Sequence, residues 1–287
     1  IEYRKERELL DFHEEMAIMI QEVVGFKAGN YFFPAFAGVA FSNNEYRWSP
    51  RIQLKDGLIR LVPGLGTRAV DRVSDDFPTL VSPGQPKLQV NASVEEMIRY
   101  SPKKMDVINL KTNTFETVDI EEILKTSGEN YPRVDHIVSV VEDNRALNKS
   151  KFNIDFESDE LIVTFHNLFN KTPFLNQMKT ILDTLEKCIQ TPIDIEFASD
   201  GENIYILQCR AQSYTKNNRP AVIPKNIPKE RILFTANQYI SNGCYSGLSH
   251  IVYVVPEAYQ NLSTREELNI IGRIVGKLNV LLPKRKF

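Results

Sequence analysis

The stretch "TPIDIEFASDGENIYILQCRAQSY", residues 191–214, holds two runs of β-branched and aromatic residues on either side of a polar turn. Gly201 stands in the middle of that turn, and this pattern is typical of a β-hairpin. Four residues inside the runs carry functional groups that can bind ligands: Asp194, Glu196, Gln208 and Arg210. An ordinary edge hairpin needs only side chains that water can solvate. Their chemistry decides whether the hairpin is a plain surface element or a site.

Residue alternation divides the predicted hairpin into two faces. Successive strand residues point to opposite faces, so Asp194 and Glu196 share one face, and Gln208 and Arg210 share one face of the return strand. The other face of the first strand is apolar: Ile193, Ile195 and Phe197. With the turn centred on Gly201, we expect Asp194 to lie opposite Gln208 and Glu196 opposite Ile206.

A helix is predicted directly before the hairpin, from Thr172 to Gln190. Thr172 can cap it and Pro173 suits its first turn. Its apolar residues form one stripe at helical spacing: Leu175, Met178, Leu182, Leu185 and Ile189. We expect the apolar face of the hairpin to pack beneath this stripe.

Two carboxylates and an amide oxygen on one face suit Mg²⁺, which takes few protein ligands and completes its coordination with phosphate and water. An arginine beside them can hold a phosphate with two parallel hydrogen bonds. The alternative is a surface hairpin whose acids and arginine pair across the strands, each pair contributing under about 1 kcal/mol.

The remaining elements predict an α+β chain. Strands are expected at Met16–Val24, Ala35–Ser42 and Leu58–Val62, a turn at Gly64–Gly66 and a helix from Thr67. We further expect a helix over residues 1–15, a capping box between Ser93 and Glu96, and a second capped helix starting with Ser263 and Glu266. Three prolines between Pro220 and Pro228 mark a linker. The predicted organisation is a first region over residues 1–218, a linker over 219–228, and the start of a following α/β domain over 229–287.

Composition excludes some classes of partner. The chain has 287 residues, a formal net charge of -2 and 42% hydrophobic residues, which fits neither a bulk nucleic-acid binder nor a protein of anionic membranes. No apolar run approaches the roughly 20 residues of a spanning helix, and no signal peptide is visible. Three widely spaced cysteines fit reduced thiols better than disulfides or a zinc site, which favours a cytoplasmic location.

The hairpin resembles a known family. "DIEF", a glycine turn and "YILQCRAQS" are similar to the C-terminal hairpin of the ATP-grasp nucleotide-binding domain in phosphoenolpyruvate synthase and pyruvate phosphate dikinase. The resemblance implies that Glu196 and Gln208 hold Mg²⁺ together with the phosphates of ATP. It also implies that Asp194 and Arg210 are catalytic members of the same site.

Three upstream segments resemble the same family in the same order. Residues 37–42, "AGVAFS", are similar to a Ser-Gly-Val strand of the family. Residues 20–24, "IQEVV", resemble the hinge strand whose backbone reads the adenine edge, which implies nucleotide binding by this set: Gln21, Glu22, Val23 and Val24. Residues 64–67, "GLGT", resemble the family's Gly-Leu-Gly-Glu turn, which implies nucleotide binding by a second set: Gly64, Gly66, Thr67 and Arg68.

The sequence departs from the family at two points. Thr67 stands where the family has an acid, and Arg68 either engages phosphate instead or is a surface arginine of the helix. "SGLSH", residues 246–250, superficially resembles the family's phosphohistidine motif, but residues 251–255 are predicted to continue as a β-strand instead of entering a helix. We therefore expect the phosphohistidine, like the N-terminal half of the grasp, to lie on other parts of a longer protein.

The resemblance implies an ATP-grasp-like fold followed by a smaller C-terminal α/β segment. The implied reaction is phosphoryl donation from Mg-ATP, through a histidine on another domain, to pyruvate, with ATP and Mg²⁺ as cofactors and pyruvate or phosphoenolpyruvate reached through other domains. We expect this chain alone to be inactive and to bind Mg-ATP weakly. Two alternatives remain: a related phosphotransferase with another acceptor, such as a glucan or an antibiotic, and a nucleotide-binding regulatory module without turnover.

Overall fold

The structure is a computed structural model that describes residues 18–70, 76–91, 93–212, 227–232, 234–235, 240–241, 249–262 and 264–281. The chain divides into two units, one made of Ile1–Asn44 and Arg51–Gln212 and the other of Glu45–Pro50 and Ser213–Phe287. The predicted linker falls mostly outside the described residues, as does the helix expected over residues 1–15.

The first unit contains most of the regular elements. Its strands are β1 Phe26–Ala28, β2 Tyr31–Phe33, β3 Phe36–Phe41, β5 Leu58–Val62, β6 Thr79–Val81, β7 Lys104–Asn109, β8 Thr114–Asp119, β9 Val138–Glu142, β10 Arg145–Leu147, β11 Glu160–Val163, β12 Ile193–Ser199 and β13 Ile204–Ala211. Its helices are α1 Thr67–Val70, α2 Val94–Tyr100, α3 Ile120–Ser127, α4 Val134–Ile137, α5 His166–Lys171 and α6 Phe174–Ile189. β4, Tyr46–Arg47, belongs to the second unit.

Three antiparallel sheets organise the first unit, in agreement with the predicted α+β class. Five strands form the largest, in the order β13-β12-β3-β5-β6. The other two have the orders β1-β2-β7-β8 and β10-β9-β11. The predicted hairpin is formed by β12 and β13. Because β12 also pairs with β3, the first strand of the hairpin is an interior strand of the sheet, and the second, β13, is an edge strand.

The register of the hairpin differs from the prediction. Asp194 pairs with Arg210 and Glu196 with Gln208, so the expected pairings of Asp194 with Gln208 and of Glu196 with Ile206 are wrong. Asp200 explains part of the shift, because its Oδ1 accepts the amides of Glu202 and Asn203 at 2.9 and 2.7 Å and closes a longer turn than one centred on Gly201.

A bulge in β13 then places the polar residues of both strands on the same face. The register shifts between Glu196 and Phe197, where Phe197 pairs with Ile206 and Leu207 is the extra residue of β13. One extra residue reverses the alternation of the strand that carries it. Gln208 and Arg210 therefore share a face with Glu196 and Asp194.

The inner face of the hairpin packs as predicted against the preceding helix. Ile193, Ile195 and Phe197 are between 0 and 1% exposed and belong to the same core as the stripe of α6. The buried members of that stripe are Leu175, Met178 and Leu182. The predicted helix over 172–190 is confirmed as α6, and Thr172 Oγ1 accepts the Phe174 amide at its start.

Gly38 explains how β3 and β5 approach each other. A Cβ at this position would lie 2.2 Å from the carbonyl oxygen of Arg60 and 3.0 Å from the ring of Phe197. A side chain of any size would force the strands apart. The glycine of the "AGVAFS" segment is therefore required by packing in the middle of the sheet.

One strand predicted in the first unit is wrong. Ile18–Val24, the described part of the run 16–24, has no regular secondary structure, and the first strand begins at Phe26. Most of its apolar residues stay in solvent, since Ile18 and Ile20 are 85 and 92% exposed. Without a buried face, an apolar run lacks the packing that stabilises a strand. The predicted strands at 35–42 and 58–62 and the capping box of Ser93 and Glu96 are confirmed.

In the second unit, β4 pairs with β14, Ile240–Ser241, and two helices follow: α7 Pro256–Gln260 and α8 Arg265–Leu281. The capping box of α8 lies one residue later than expected, between Thr264 and Glu267, whose Oε2 accepts the Thr264 amide at 3.0 Å. The strand predicted over residues 251–255 is wrong, because these residues are exposed and have no regular secondary structure. Among the residues that the structure describes, no helix is both long and apolar enough to cross a membrane.

Candidate functional site

The outer face of the five-stranded sheet carries the four polar residues of the hairpin. Glu196 lies directly opposite Gln208, and Asp194 lies opposite Arg210 on the next row of that face. Directly opposed side chains in an antiparallel pair have Cβ atoms about 5 Å apart. A carboxylate and an amide oxygen thus stand beside each other, with a second carboxylate and a guanidinium next to them.

Asp194 and Arg210 form an ion pair of unequal burial. Arg210 Nε donates to Asp194 Oδ1 at 2.6 Å, and the side chains are 52 and 9% exposed, respectively. This hydrogen bond, and then the charge of Asp194, raises the pKa of Arg210 above its ordinary value. Arg210 is therefore a cation at any pH at which the protein is folded, held at one end by a buried carboxylate.

The same face continues over β3 and β5. Val39 lies between Glu196 on one side and Arg60 on the other, and Phe41 lies next to Asp194. The Arg60 guanidinium stands over the Phe41 ring at 5.2 Å from its centroid. Arg60 was not among the residues predicted for this face. The signal was present, since it is the lone charged residue in the apolar strand "LIRLV".

The Gly-Leu-Gly turn lies on this face as well. Gly64 has a φ of 74°, and a Cβ there would lie 2.7 Å from the Asp106 carbonyl oxygen, which accepts the Leu65 amide at 2.9 Å. A Cβ on Gly66 would lie 3.4 Å from Ala37 Cβ, and Ala69 packs in one cluster with Val39 and Val62. The turn and the start of α1 therefore cover the outer face beside β3 and β5.

Thr67 and Arg68 are tied to the four-stranded sheet through Asp106. Thr67 Oγ1 donates to Asp106 Oδ2, while Arg68 Nε and Thr117 Oγ1 donate to Oδ1 at 3.1 and 2.6 Å. Arg68 Nη1 also lies 3.5 Å from Asp76 Oδ2. Arg68 is only 9% exposed, so the expectation of a surface arginine is wrong: the guanidinium is buried between two carboxylates.

Asp76 is in turn fixed by the backbone. Its carboxylate accepts the amides of Phe77, Lys103 and Lys104 at 3.0, 2.9 and 2.9 Å. Three amide donors hold the Asp76 carboxylate in one position. Arg68 is thus part of a buried network that joins α1 to β7, and the predicted contact of Arg68 with phosphate competes with this network.

The segment 18–25 meets the hairpin at the bulge. Gln21 Nε2 donates to the carbonyl oxygen of Leu207 at 3.1 Å. Gln21 therefore contacts the edge strand β13 at the residue that precedes Gln208. Glu22 and Val23 are exposed and Val24 is half-buried. Of the four predicted adenine-side residues, Gln21 has the contact that ties this segment to the polar face.

The donor set fits a metal that is held partly by its substrate. In the described part of the chain, no three His, Cys, Asp or Glu side chains cluster as a metal cage would require. Mg²⁺ bound with phosphates needs only one or two carboxylates, because phosphate oxygens and water complete its octahedron. Glu196 and Gln208 offer two oxygen ligands side by side, whereas Asp194 is engaged by Arg210.

One face of the antiparallel sheet carries carboxylate, amide and guanidinium groups and has a glycine turn beside it, and these are the groups that bind the phosphates and the metal of a nucleotide. The model of the family "Pyruvate phosphate dikinase, AMP/ATP-binding domain" matches residues 1–231. The match covers most of the chain, and the chain belongs to this family. The resemblance found in the hairpin is thereby confirmed. No curated protein sequence matches the chain.

Proposed function

We propose that the outer face of the five-stranded sheet binds Mg-ATP and that Glu196 and Gln208 are the metal ligands. The observation that carries this proposal is the direct opposition of Glu196 and Gln208, with the pair of Asp194 and Arg210 on the adjacent row. The fold of an edge hairpin does not require a half-buried carboxylate such as Glu196 between the amide of Gln208 and the apolar strand β3. A family whose domain binds AMP or ATP gives this arrangement a ligand.

Each residue has a separate role in the proposal. Glu196 and Gln208 hold the cation, which neutralises charge on the phosphate oxygens when it is bound. Asp194 accepts Nε–H of Arg210 and so fixes the guanidinium, leaving the Nη donors to meet phosphate oxygens. The buried position of Asp194 makes this support rigid. Charge that develops on the transferred group then meets a cation already in place.

The reaction we propose is transfer of the β,γ-pyrophosphoryl group of ATP to a histidine on another domain, which releases AMP. Water or inorganic phosphate then takes the terminal phosphoryl group, and the remaining phosphoryl group passes from the histidine to pyruvate. Membership of the pyruvate phosphate dikinase family supports it. Glu196, Gln208 and Arg210 position the phosphate chain, and proton transfer at the acceptor is left to residues outside this face. Gly64, Gly66 and the backbone of residues 21–24 are the proposed nucleotide contacts of this chain.

One observation favours a second candidate, a nucleotide-binding module without turnover. Thr67 stands where the family has an acid, and its hydroxyl is committed to Asp106. The Asp106 carboxylate cannot substitute for the missing acid, because it already accepts Thr67, Arg68 and Thr117. A site with one carboxylate fewer still binds Mg-ATP but neutralises the transferred charge less well.

A titration separates these candidates. The complete gene product is titrated with ATP in the presence of Mg²⁺ and again with EDTA, and we expect Mg²⁺ to tighten binding by about tenfold or more, equivalent to about 1.4 kcal/mol. The complete gene product is then incubated with ATP, pyruvate and inorganic phosphate, and AMP is measured. AMP formation supports the phosphotransferase, binding without AMP supports the second candidate, and no binding in either buffer excludes both.

A further inference from the structure

We propose that Tyr131 is a positioning residue that fixes the glycine turn, residues 64–66, beside the five-stranded sheet, so that the turn can contact a bound nucleotide. The inference rests on the proposed binding of Mg-ATP to the outer face of that sheet. Tyr131 lies outside the sheet, in the segment between α3 and α4. It acts through the backbone of the turn and does not itself touch the ligand.

The hydroxyl of Tyr131 is shared between two backbone groups. It donates to the carbonyl oxygen of Ala35, the residue before β3, at 2.6 Å. It also accepts a backbone hydrogen bond from Gly64, in the turn that follows β5. A tyrosine hydroxyl has one proton to donate and lone pairs to accept with, and both functions are used here. The hydroxyl therefore joins the start of β3 to the glycine turn.

The turn is held from beneath at two successive amides. Gly64 donates to Tyr131, and Leu65 donates to the Asp106 carbonyl oxygen at 2.9 Å. Gly64 is buried and has a φ of 74°, whereas Gly66 is half-buried. Because both amides at the buried end are engaged, the position of that end determines where Gly66 stands beside the outer face.

The same segment of chain contacts the hairpin that carries the proposed metal ligands. Ala35, whose carbonyl oxygen accepts from Tyr131, donates its own amide to the Ser199 carbonyl oxygen at 2.8 Å. Pro132 lies against the turn of the hairpin, since a Cβ on Gly201 would come 2.7 Å from Pro132 Cβ. Tyr131 and Pro132 therefore connect the glycine turn to the β12–β13 hairpin.

The ring of Tyr131 is held by aromatic packing. The side chain is 1% exposed, and its ring centroid lies 5.3 and 5.5 Å from those of Phe26 and Phe33. Phenylalanine would fill the same space without a polar atom. A buried hydroxyl costs free energy unless it is hydrogen-bonded, and here both hydrogen bonds go to the backbone of the sheet and the turn. Removing the hydroxyl alone therefore tests the inference.

The competing explanation is that the hydroxyl only satisfies a buried carbonyl and stabilises the core. Ser139→Ala on β9 is the matched control, because Ser139 is also 1% exposed. Its hydroxyl bonds to Asn148 Oδ1 at 2.7 Å and to Thr164 Oγ1 at 2.6 Å. Both partners directly follow strands of the three-stranded sheet. Tyr131→Phe and Ser139→Ala thus each remove one buried hydroxyl, and only the first hydroxyl holds the glycine turn.

The experiment measures two quantities on the complete gene product and on both variants. One is the dissociation constant for ATP with saturating Mg²⁺, and the other is amide hydrogen exchange without ligand in peptides covering residues 58–70 and 138–147. We expect Tyr131→Phe to weaken ATP binding by about fivefold, the range of one neutral hydrogen bond, and to speed exchange in residues 58–70. Ser139→Ala should speed exchange in residues 138–147 and leave binding within about twofold of the unmodified protein.

The outcomes are distinguishable. Binding by Tyr131→Phe within about twofold of the unmodified protein overturns the positioning role and leaves the proposed function standing. Equal weakening by Tyr131→Phe and Ser139→Ala also overturns it, because a general loss of stability would then explain the effect. Unchanged exchange of residues 58–70 in Tyr131→Phe overturns the claim that the hydroxyl holds the turn. Absence of Mg-ATP binding by the unmodified gene product overturns the proposed function and, with it, this inference.

Discussion

Asp194 and Arg210 face each other across β12 and β13 and share a hydrogen bond of 2.6 Å, yet one side chain is buried and the other half-exposed. The buried partner is the acid on the interior strand, and the exposed partner is the base on the edge strand. The asymmetry holds the guanidinium at one end and leaves its other end at the surface, as the proposed contact of Arg210 with phosphate requires.

The first prediction concerns the geometry of Arg210. Lysine keeps the charge but loses the planar two-pronged arrangement, so Arg210→Lys should reduce ATP-dependent AMP release by the complete gene product severely, by about a hundredfold. The melting temperature should change by no more than about 4 °C, because a half-exposed ion pair contributes about 1 kcal/mol at most. AMP release and a melting curve are measured on the same preparation.

The matched control for Arg210 is Arg145→Lys, at an exposed position on strand β10 of another sheet. It should leave AMP release unchanged. Equal activity of the Arg210→Lys and Arg145→Lys variants would show that Arg210 only balances Asp194, and the hairpin would then be an ordinary surface element.

The second prediction concerns the metal. Glu196→Gln keeps the size of the side chain and removes the charge that we propose holds Mg²⁺, so the tightening of ATP binding by Mg²⁺ should be lost. Affinity in EDTA should remain as in the unmodified chain. The control is Glu202→Gln in the turn of the same hairpin, where the side chain is exposed. A Mg²⁺ effect of equal size in both variants would remove Glu196 from the metal site.

Sequence patterns predicted the hairpin of this site correctly but not its register, and both results have physical reasons. Alternation and turn residues located the hairpin and its two faces, because these features are local. The register was wrong because Asp200 closes a longer turn and β13 carries an extra residue, Leu207, and residue alternation reports neither feature. Membership of Asp194, Glu196, Gln208 and Arg210 in one face depended on that bulge.

The error at Arg68 has a similar origin. An arginine in the first turn of a helix is normally solvated, and only the distant residues Asp76 and Asp106 make it a buried one. Neither acid stands out in the sequence, since Asp76 lies in a loop and Asp106 lies within strand β7. Long-range ion pairs of this kind are visible only once the sheets are assembled.

The third prediction tests that network through stability. Asp106→Asn removes one of the two carboxylates beside Arg68 and puts an amide group where Arg68 and Thr117 donate their hydrogen bonds. The free energy of unfolding should therefore fall by about 3 kcal/mol. The control is Asp119→Asn at the exposed end of strand β8, where the side chain makes no capping bond, with an expected change under about 0.5 kcal/mol. Urea unfolding measures both. Equal changes would mean that the network contributes little to stability.

The last prediction uses Tyr131, which is 1% exposed and donates its hydroxyl to the Ala35 carbonyl oxygen at 2.6 Å. Burial raises the pKa of this tyrosine above its ordinary value, and a backbone hydrogen bond from Gly64 opposes the shift only in part. A raised pKa in the folded chain means that the unfolded chain releases the proton first. The stability contribution is therefore complete below about pH 10, the unfolded value, and is lost as pH rises above it, by up to about 1.4 kcal/mol per pH unit.

Tyr131→Phe removes this dependence. Near pH 8 the variant should be less stable than the unmodified chain by about 1 kcal/mol, because a buried carbonyl loses its donor. As pH rises from about 10 to 11, the unmodified chain should lose stability faster, and the gap should close. Urea unfolding at several pH values measures the gap, with Tyr259→Phe at an exposed position as the control that leaves every buried hydroxyl in place. A gap between Tyr131→Phe and the unmodified chain that stays constant through this range would show that the buried hydroxyl ionises as readily in the folded chain as in the unfolded one.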